Sequence, residues 1–168
     1  RRITLVGASI GKAWRFEEIG RRLNVPDYSF EYVGNYDFDK STLIKDLVTR
    51  KDKPAVVLIK ECSTYFPGDS ALYRQSLMAW VASLREAGIR PVLVTTAPVS
   101  EPEGAIARAK IAVKHLLGLS AWLDEITAYN AWLREYAAHE RLPLFDLEAV
   151  LRISEGNKYM KKEYGSGD

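Results

Sequence analysis

Short runs of β-branched and aliphatic residues alternate along the chain with longer segments whose apolar positions recur every three or four residues. The first pattern is that of buried strands and the second that of amphipathic helices, so the order reads as repeated βα units around a parallel sheet. Strands are predicted at 3–6, 29–33, 55–59, 91–95 and 142–145. Between them, Phe16, Ile19 and Leu23 share one helical face, as do Leu43, Ile44, Leu47 and Val48. Leu77, Trp80, Val81 and Leu84 make a third stripe, and Trp122, Ile126, Tyr129, Leu133 and Tyr136 the longest. These side chains are expected in the core. Pro26, Pro54 and Gly88 fall at junctions between elements, and 98–104 is the longest polar break. The economical architecture is a three-layer α/β/α fold with a five-stranded parallel sheet in a flavodoxin-like order.

A chain of 168 residues, 47 % of them hydrophobic, can fill one core without staples, so a single domain over 1–168 is expected. Basic residues number 24 and acidic ones 22, for a net charge of +2, and both signs are spread along the chain. No basic stripe of the kind a nucleic-acid partner needs is apparent, and the basic run at 158–162 reads as solvated surface. Cys62 is the one cysteine, which excludes an internal disulfide and a multi-cysteine zinc site, and His115 and His139 lie far apart. Neither a metal nor a cofactor is expected. No apolar stretch approaches the ~20 residues of a membrane-spanning helix, so no membrane insertion is expected. A lid rich in exposed aliphatics is not evident either. The first residue is Arg1, as expected if an upstream segment such as an export signal has been removed, and a cytoplasmic or an exported protein would both fit. Oligomeric state is left open.

The chemistry concentrates after the first strand, in Val6-Gly7-Ala8-Ser9-Ile10-Gly11. A serine there stands at the carboxyl end of a strand, where open α/β sheets place their sites. Gly7 and Ala8 leave room for a tight turn, and a helix starting near Ala13 would offer its N-terminal dipole to a developing oxyanion. A phosphate-loop reading of Gly7 to Lys12 has three residues between its glycines where four are needed, and Ala13 follows the lysine. The dinucleotide fingerprint also lacks its spacing. Gly7-Ala8-Ser9-Ile10-Gly11 matches G-x-S-x-G literally, but in α/β-hydrolases that elbow lies mid-chain rather than on the first strand.

Gly7-Ala8-Ser9, placed straight after the first strand, resembles the G-D-S motif of the SGNH or GDSL-type hydrolases, with Ala8 where that family has aspartate. The likeness continues through the strand at 55–59, the segment 84–98 and the segment 130–147 ending in Leu142-Pro143-Leu144-Phe145-Asp146-Leu147. The resemblance implies a serine hydrolase with Ser9 as nucleophile. It also implies that Asp168 is the aspartate of the family's D-x-x-H motif, with the histidine three residues later, beyond the last residue of the sequence. His139 ends a helix on the side away from the strand carboxyl ends, and His115 lies inside a helix, so neither is expected to be the base.

Two departures from the family stand out. Lys60-Glu61-Cys62-Ser63-Thr64-Tyr65 replaces the Gly-x-Asn block whose side-chain amide helps bind the oxyanion, so either the backbone or hydroxyls of 62–64 supply donors or the enzyme is slow. Gly34-Asn35-Tyr36-Asp37-Phe38-Asp39 carries a single early glycine, and Asn35 is either a substitute donor or a turn former. Cys62 reads as a packed small hydrophobe, with a nucleophilic thiol as the alternative. Glu61 would contact a substrate hydroxyl or pair with Lys12 across the site. Trp14 is either a pocket wall or core. The expected substrates are small or carbohydrate-linked O-acyl esters. A non-catalytic or acyltransferase relative that binds carbohydrate and a flavodoxin-like nucleotide binder are the alternatives.

Overall fold

The computed structural model describes residues 1–8, 12, 14–119 and 122–164, with the side chain of His115 left out. Five parallel strands form one sheet in the order β2-β1-β3-β4-β5, with β1 at Arg2–Gly7, β2 at Ser29–Gly34, β3 at Val56–Lys60, β4 at Arg90–Val94 and β5 at Leu144–Phe145. Among the described residues six α-helices accompany them: α1 at Ile19–Arg22, α2 at Ser41–Thr49, α3 at Ser70–Glu86, α4 at Ala105–Leu116, α5 at Trp122–His139 and α6 at Leu147–Leu151. Each strand lies within two residues of its predicted span. The order is the flavodoxin-like one.

Alternation along the strands separates two cores. Val57, Ile59 and Leu93 face α2, α3 and α5, where Ile44, Leu47, Leu77, Trp80, Leu84, Ile126 and Leu133 are buried. Leu58 and Val94, one step along the same strands, face the opposite side and meet Leu147, Leu151 and Met160. The α3 stripe is therefore wholly interior, as its spacing predicts. Gly88 ends that helix at φ 76, and Gly88 and Ile89 return their N–H groups to Arg85 and Leu84, which turns the chain directly into β4.

Two expected core positions are exposed, and Ile19 is only half-buried. Leu23 is exposed because α1 stops at Arg22 and Asn24 takes a positive φ of 51, so no further turn carries Leu23 inward. Trp122 opens α5 half in solvent, with its indole N–H donated to the Ser63 carbonyl at 2.8 Å.

Polar groups hold the last strand in place. Asn130 on α5 accepts the Thr96 N–H and donates to the Thr96 carbonyl, both at 2.8 Å, so a side-chain amide pairs with the chain just past β4. Arg134 grips Asp146 through two bonds of 2.8 Å and Glu148 through one of 2.6 Å. Asp146 caps α6 and also accepts from the Thr95 hydroxyl. Burial alone would raise the Asp146 carboxyl, but the bonds from Arg134, Ala149 and Thr95 bring it below the usual range.

Candidate active site

Three strand ends converge at the carboxyl edge of the sheet. Gly7 closes β1 between Gly34 of β2, its register partner, and Lys60 of β3. Both glycines sit in crowded positions, Gly34 the more severely. A Cβ at Gly7 would stand 3.1 Å from the Lys60 carbonyl, and one at Gly34 would stand 2.0 Å from the Tyr32 hydroxyl and 2.6 Å from the Gly7 carbonyl. Tyr32 in turn donates its hydroxyl to the Ala8 carbonyl at 2.8 Å, which fixes the first residue past β1. Ser9, the next residue, and Asp168 both lie outside the described residues.

What stands around this edge is a buried set of charges. Lys60 is buried, donates to the Glu61 carbonyl at 2.9 Å and lies 5.6 Å from the centre of the Trp14 ring, so Trp14 roofs an amine. Lys40, at the start of α2, is 0 % exposed, donates to the Asn35 side chain at 2.7 Å and to the Asp37 carbonyl, and reaches the Tyr65 hydroxyl at 3.3 Å. Burial pushes both amines below the usual lysine range. Glu61 is 3 % exposed, and neither of its carboxyl oxygens has a hydrogen-bond partner among the described residues. Burial raises it to about 7, against the opposing pull of Lys40 and Lys60.

Glu61 should therefore make the protein's stability depend on pH. Its ordinary value is 4.5 and its folded value about 7, so between these the native state holds a proton that the unfolded chain has released. Stability contributed by that proton is complete below about pH 4.5 and is lost as pH rises through about 7. The groups within electrostatic reach are Lys40, Lys60, Tyr65, Tyr73 and Tyr129. In urea melts at pH 5 and pH 8, the wild type is expected to lose about 2.5 kcal/mol more than Glu61→Gln over that interval. Parallel losses in the two proteins would mean that Glu61 ionises as a solvated carboxyl does.

The remaining candidates sort clearly. Cys62 is a buried free thiol whose sulfur accepts the Thr64 hydroxyl at 3.1 Å. Ser63 begins a single 3₁₀ turn, Ser63–Tyr65, and its carbonyl receives the Trp122 indole. Asn35 donates to the Asp39 carbonyl and accepts from the Asp37 N–H and from Lys40, so its amide stitches the β2–α2 loop. Lys12, expected as a partner of Glu61, is exposed, and the amines that face the carboxyl are Lys40 and Lys60. His139 is exposed beside Glu140, where α5 turns toward the start of β5 and away from this edge. Among the described residues no three His, Cys, Asp or Glu side chains gather closely enough to hold a metal ion. Sequence reasoning missed Lys40, Tyr32 and Tyr65.

Beside the Ser63 turn opens an apolar groove of about 530 Å³ lined by Val99, Ile111, Trp122, Leu123 and Tyr159, with Lys110 and Lys114 on its α4 side. It lies past the carboxyl end of β4, and Trp122 joins it to the Ser63 turn.

No family model and no curated protein matches the sequence. Solved structures do match the fold. A protein assigned as an acylhydrolase from Bacteroides fragilis superposes with a TM-score of 0.68 at 18 % identity, covering 98 % of this chain and 76 % of its own. A GDSL-like lipase from Bacteroides thetaiotaomicron gives 0.67 at 16 %, covering 98 % and 77 %. AlinE4, an SGNH-hydrolase family esterase, gives 0.62 at 15 %, covering 100 % of this chain and 84 % of its own. The α/β architecture with its all-parallel sheet is thus the one these SGNH and GDSL proteins share.

Proposed function

We propose that the protein is an SGNH-type serine hydrolase that cleaves small or carbohydrate-linked O-acyl esters through an acyl-serine intermediate. The observation that carries this reading is the convergence of Gly7, Gly34 and Lys60 at the carboxyl edge of a sheet with the SGNH strand order, directly before Ser9 in sequence. Ser9 attacks the ester carbonyl and gives its proton to a histidine three residues past Asp168, which Asp168 orients. The alkoxide leaves with that proton, and water then releases the acyl group from Ser9. The block Lys60 to Tyr65 stands in place of the family's Gly-x-Asn, so another donor must face the oxyanion or a substrate hydroxyl. Glu61 is the candidate for that part, a buried carboxyl whose two oxygens have no hydrogen-bond partner among the described residues and which below about pH 7 keeps an O–H to donate.

The charged block Lys60-Glu61-Cys62 in place of that amide favours a second reading, a carbohydrate-binding relative that has lost turnover. A fluorophosphonate probe separates the two in a chain carried through the D-x-x-H histidine. The hydrolase should be labelled at Ser9, mapped by peptide mass spectrometry, and should turn over p-nitrophenyl acetate. Labelling confined to Cys62, or none at all, would overturn the hydrolase reading.

A further inference from the structure

Helix α4 carries a second apolar surface that packs on nothing described. Leu116 is 85 % exposed, Ile106 77 % and Leu117 67 %, and Val113 and Leu119 are more than half exposed. With an advance of ~100° per residue, Ile106, Ala109, Val113, Leu116 and Leu117 share one side of the helix. Ala107, Ile111 and Lys114 turn toward the groove, and Lys110 lies between the two. Gly118, at φ 68, ends the helix, and the exposed Leu119 after it returns its N–H to the Lys114 carbonyl. A run of large aliphatics on one surface marks a contact rather than chance exposure.

The charges say what kind of contact it is. Arg108, Lys110 and Lys114 are exposed on α4, and no acidic residue occurs between Glu103 and Asp124. A second copy docked symmetrically on the ridge would bring these cations against their own copies. Protein interfaces are also poor in lysine, and Leu and Val seldom anchor them. Aliphatic side chains flanked by lysines are instead the pattern of helices that lie in the headgroup layer of a membrane.

We propose that the α4 ridge seats the protein on the surface of an anionic lipid bilayer, with Lys110 and Lys114 against headgroup phosphates and the ridge side chains in the upper acyl layer. The contact is peripheral, since no helix among the described residues is long and apolar enough to cross a membrane. It also leaves the mouth of the groove beside the lipid, because Lys110 and Lys114 border both.

Vesicle co-sedimentation tests this without any ester turnover, so its result is independent of the hydrolase reading. The protein should pellet with vesicles of phosphatidylcholine containing about 30 % phosphatidylglycerol, stay in solution with phosphatidylcholine alone, and be released by salt. Leu116→Ser/Leu117→Ser and Lys110→Glu/Lys114→Glu should each lower the bound fraction at least about tenfold. Both pairs are exposed, so their thermal melts should match the wild type. Wild-type protein that stays in solution with the anionic vesicles, or variants that pellet equally well, would overturn the proposal. So would a dimer in sedimentation velocity that Leu116→Ser/Leu117→Ser dissolves, which would make the ridge a contact between copies.

Discussion

Ser9→Ala is expected to lower ester hydrolysis by at least ~10³ in a chain carried through the D-x-x-H histidine, the size of effect seen when a triad member is lost. The measurement is kcat/KM for p-nitrophenyl acetate, with Cys62→Ser as the comparison. That second variant is expected to change the rate by less than about tenfold. Cys62 is the intrinsically better nucleophile, yet its sulfur is buried and already accepts the Thr64 hydroxyl. A collapse of turnover in Cys62→Ser, with Ser9→Ala near the wild-type rate, would move the nucleophile from β1 to β3.

Gly34→Val should cost at least about 4 kcal/mol in stability, beyond the 1–3 kcal/mol usual for overpacking. Overpacking is ordinarily relieved by side chains that move aside. Here a Cβ would meet the Tyr32 ring and also the Gly7 carbonyl, at 2.6 Å, and that carbonyl belongs to the neighbouring strand of the sheet. Pushing Tyr32 away breaks its bond to the Ala8 carbonyl, so the damage falls on the residue before Ser9. Urea melts of Gly34→Val beside Tyr32→Phe separate the two causes. The phenylalanine variant loses only the hydroxyl bond and should cost about 1 kcal/mol. Equal melts for Gly34→Val and wild type would mean that β1 and β2 are less closely apposed than their register requires.

The strands were legible because parallel strands covered on both faces carry β-branched runs, and each run here is closed by a proline, glycine or polar break. Helix faces were legible where a whole stripe is interior, as in α3. They misled where a stripe runs past the end of its helix, as at Leu23, or starts before the core does, as at Trp122. The ridge on α4 shows a further limit. Periodicity says that a helix has an apolar side, but not whether protein covers it. Lys40 was invisible for a different reason, since a lysine reads as solvated unless its burial is known. It is interior because the Asn35–Asp37 turn folds over the start of α2 and supplies the acceptors that an ammonium needs. Glu61 could be singled out from its place after β3, directly behind Lys60, but its second lysine neighbour, Lys40, comes from the start of α2, and only the fold brings the two together.

At both margins of the sheet, side chains occupy part of the free backbone edge. At one margin β5 has only two residues, and the Thr96 backbone beyond β4 is already taken by the Asn130 amide. At the other, the Tyr32 N–H of β2 is held by the Glu17 carboxylate at 3.2 Å, and Phe16 stacks edge-on against Phe30. Open strand edges are where chains join one another into aggregates, and here side chains stand in for the missing neighbours. The solvent-facing aliphatic ridge on α4 is thus set apart from a sheet whose edges are partly occupied by its own side chains.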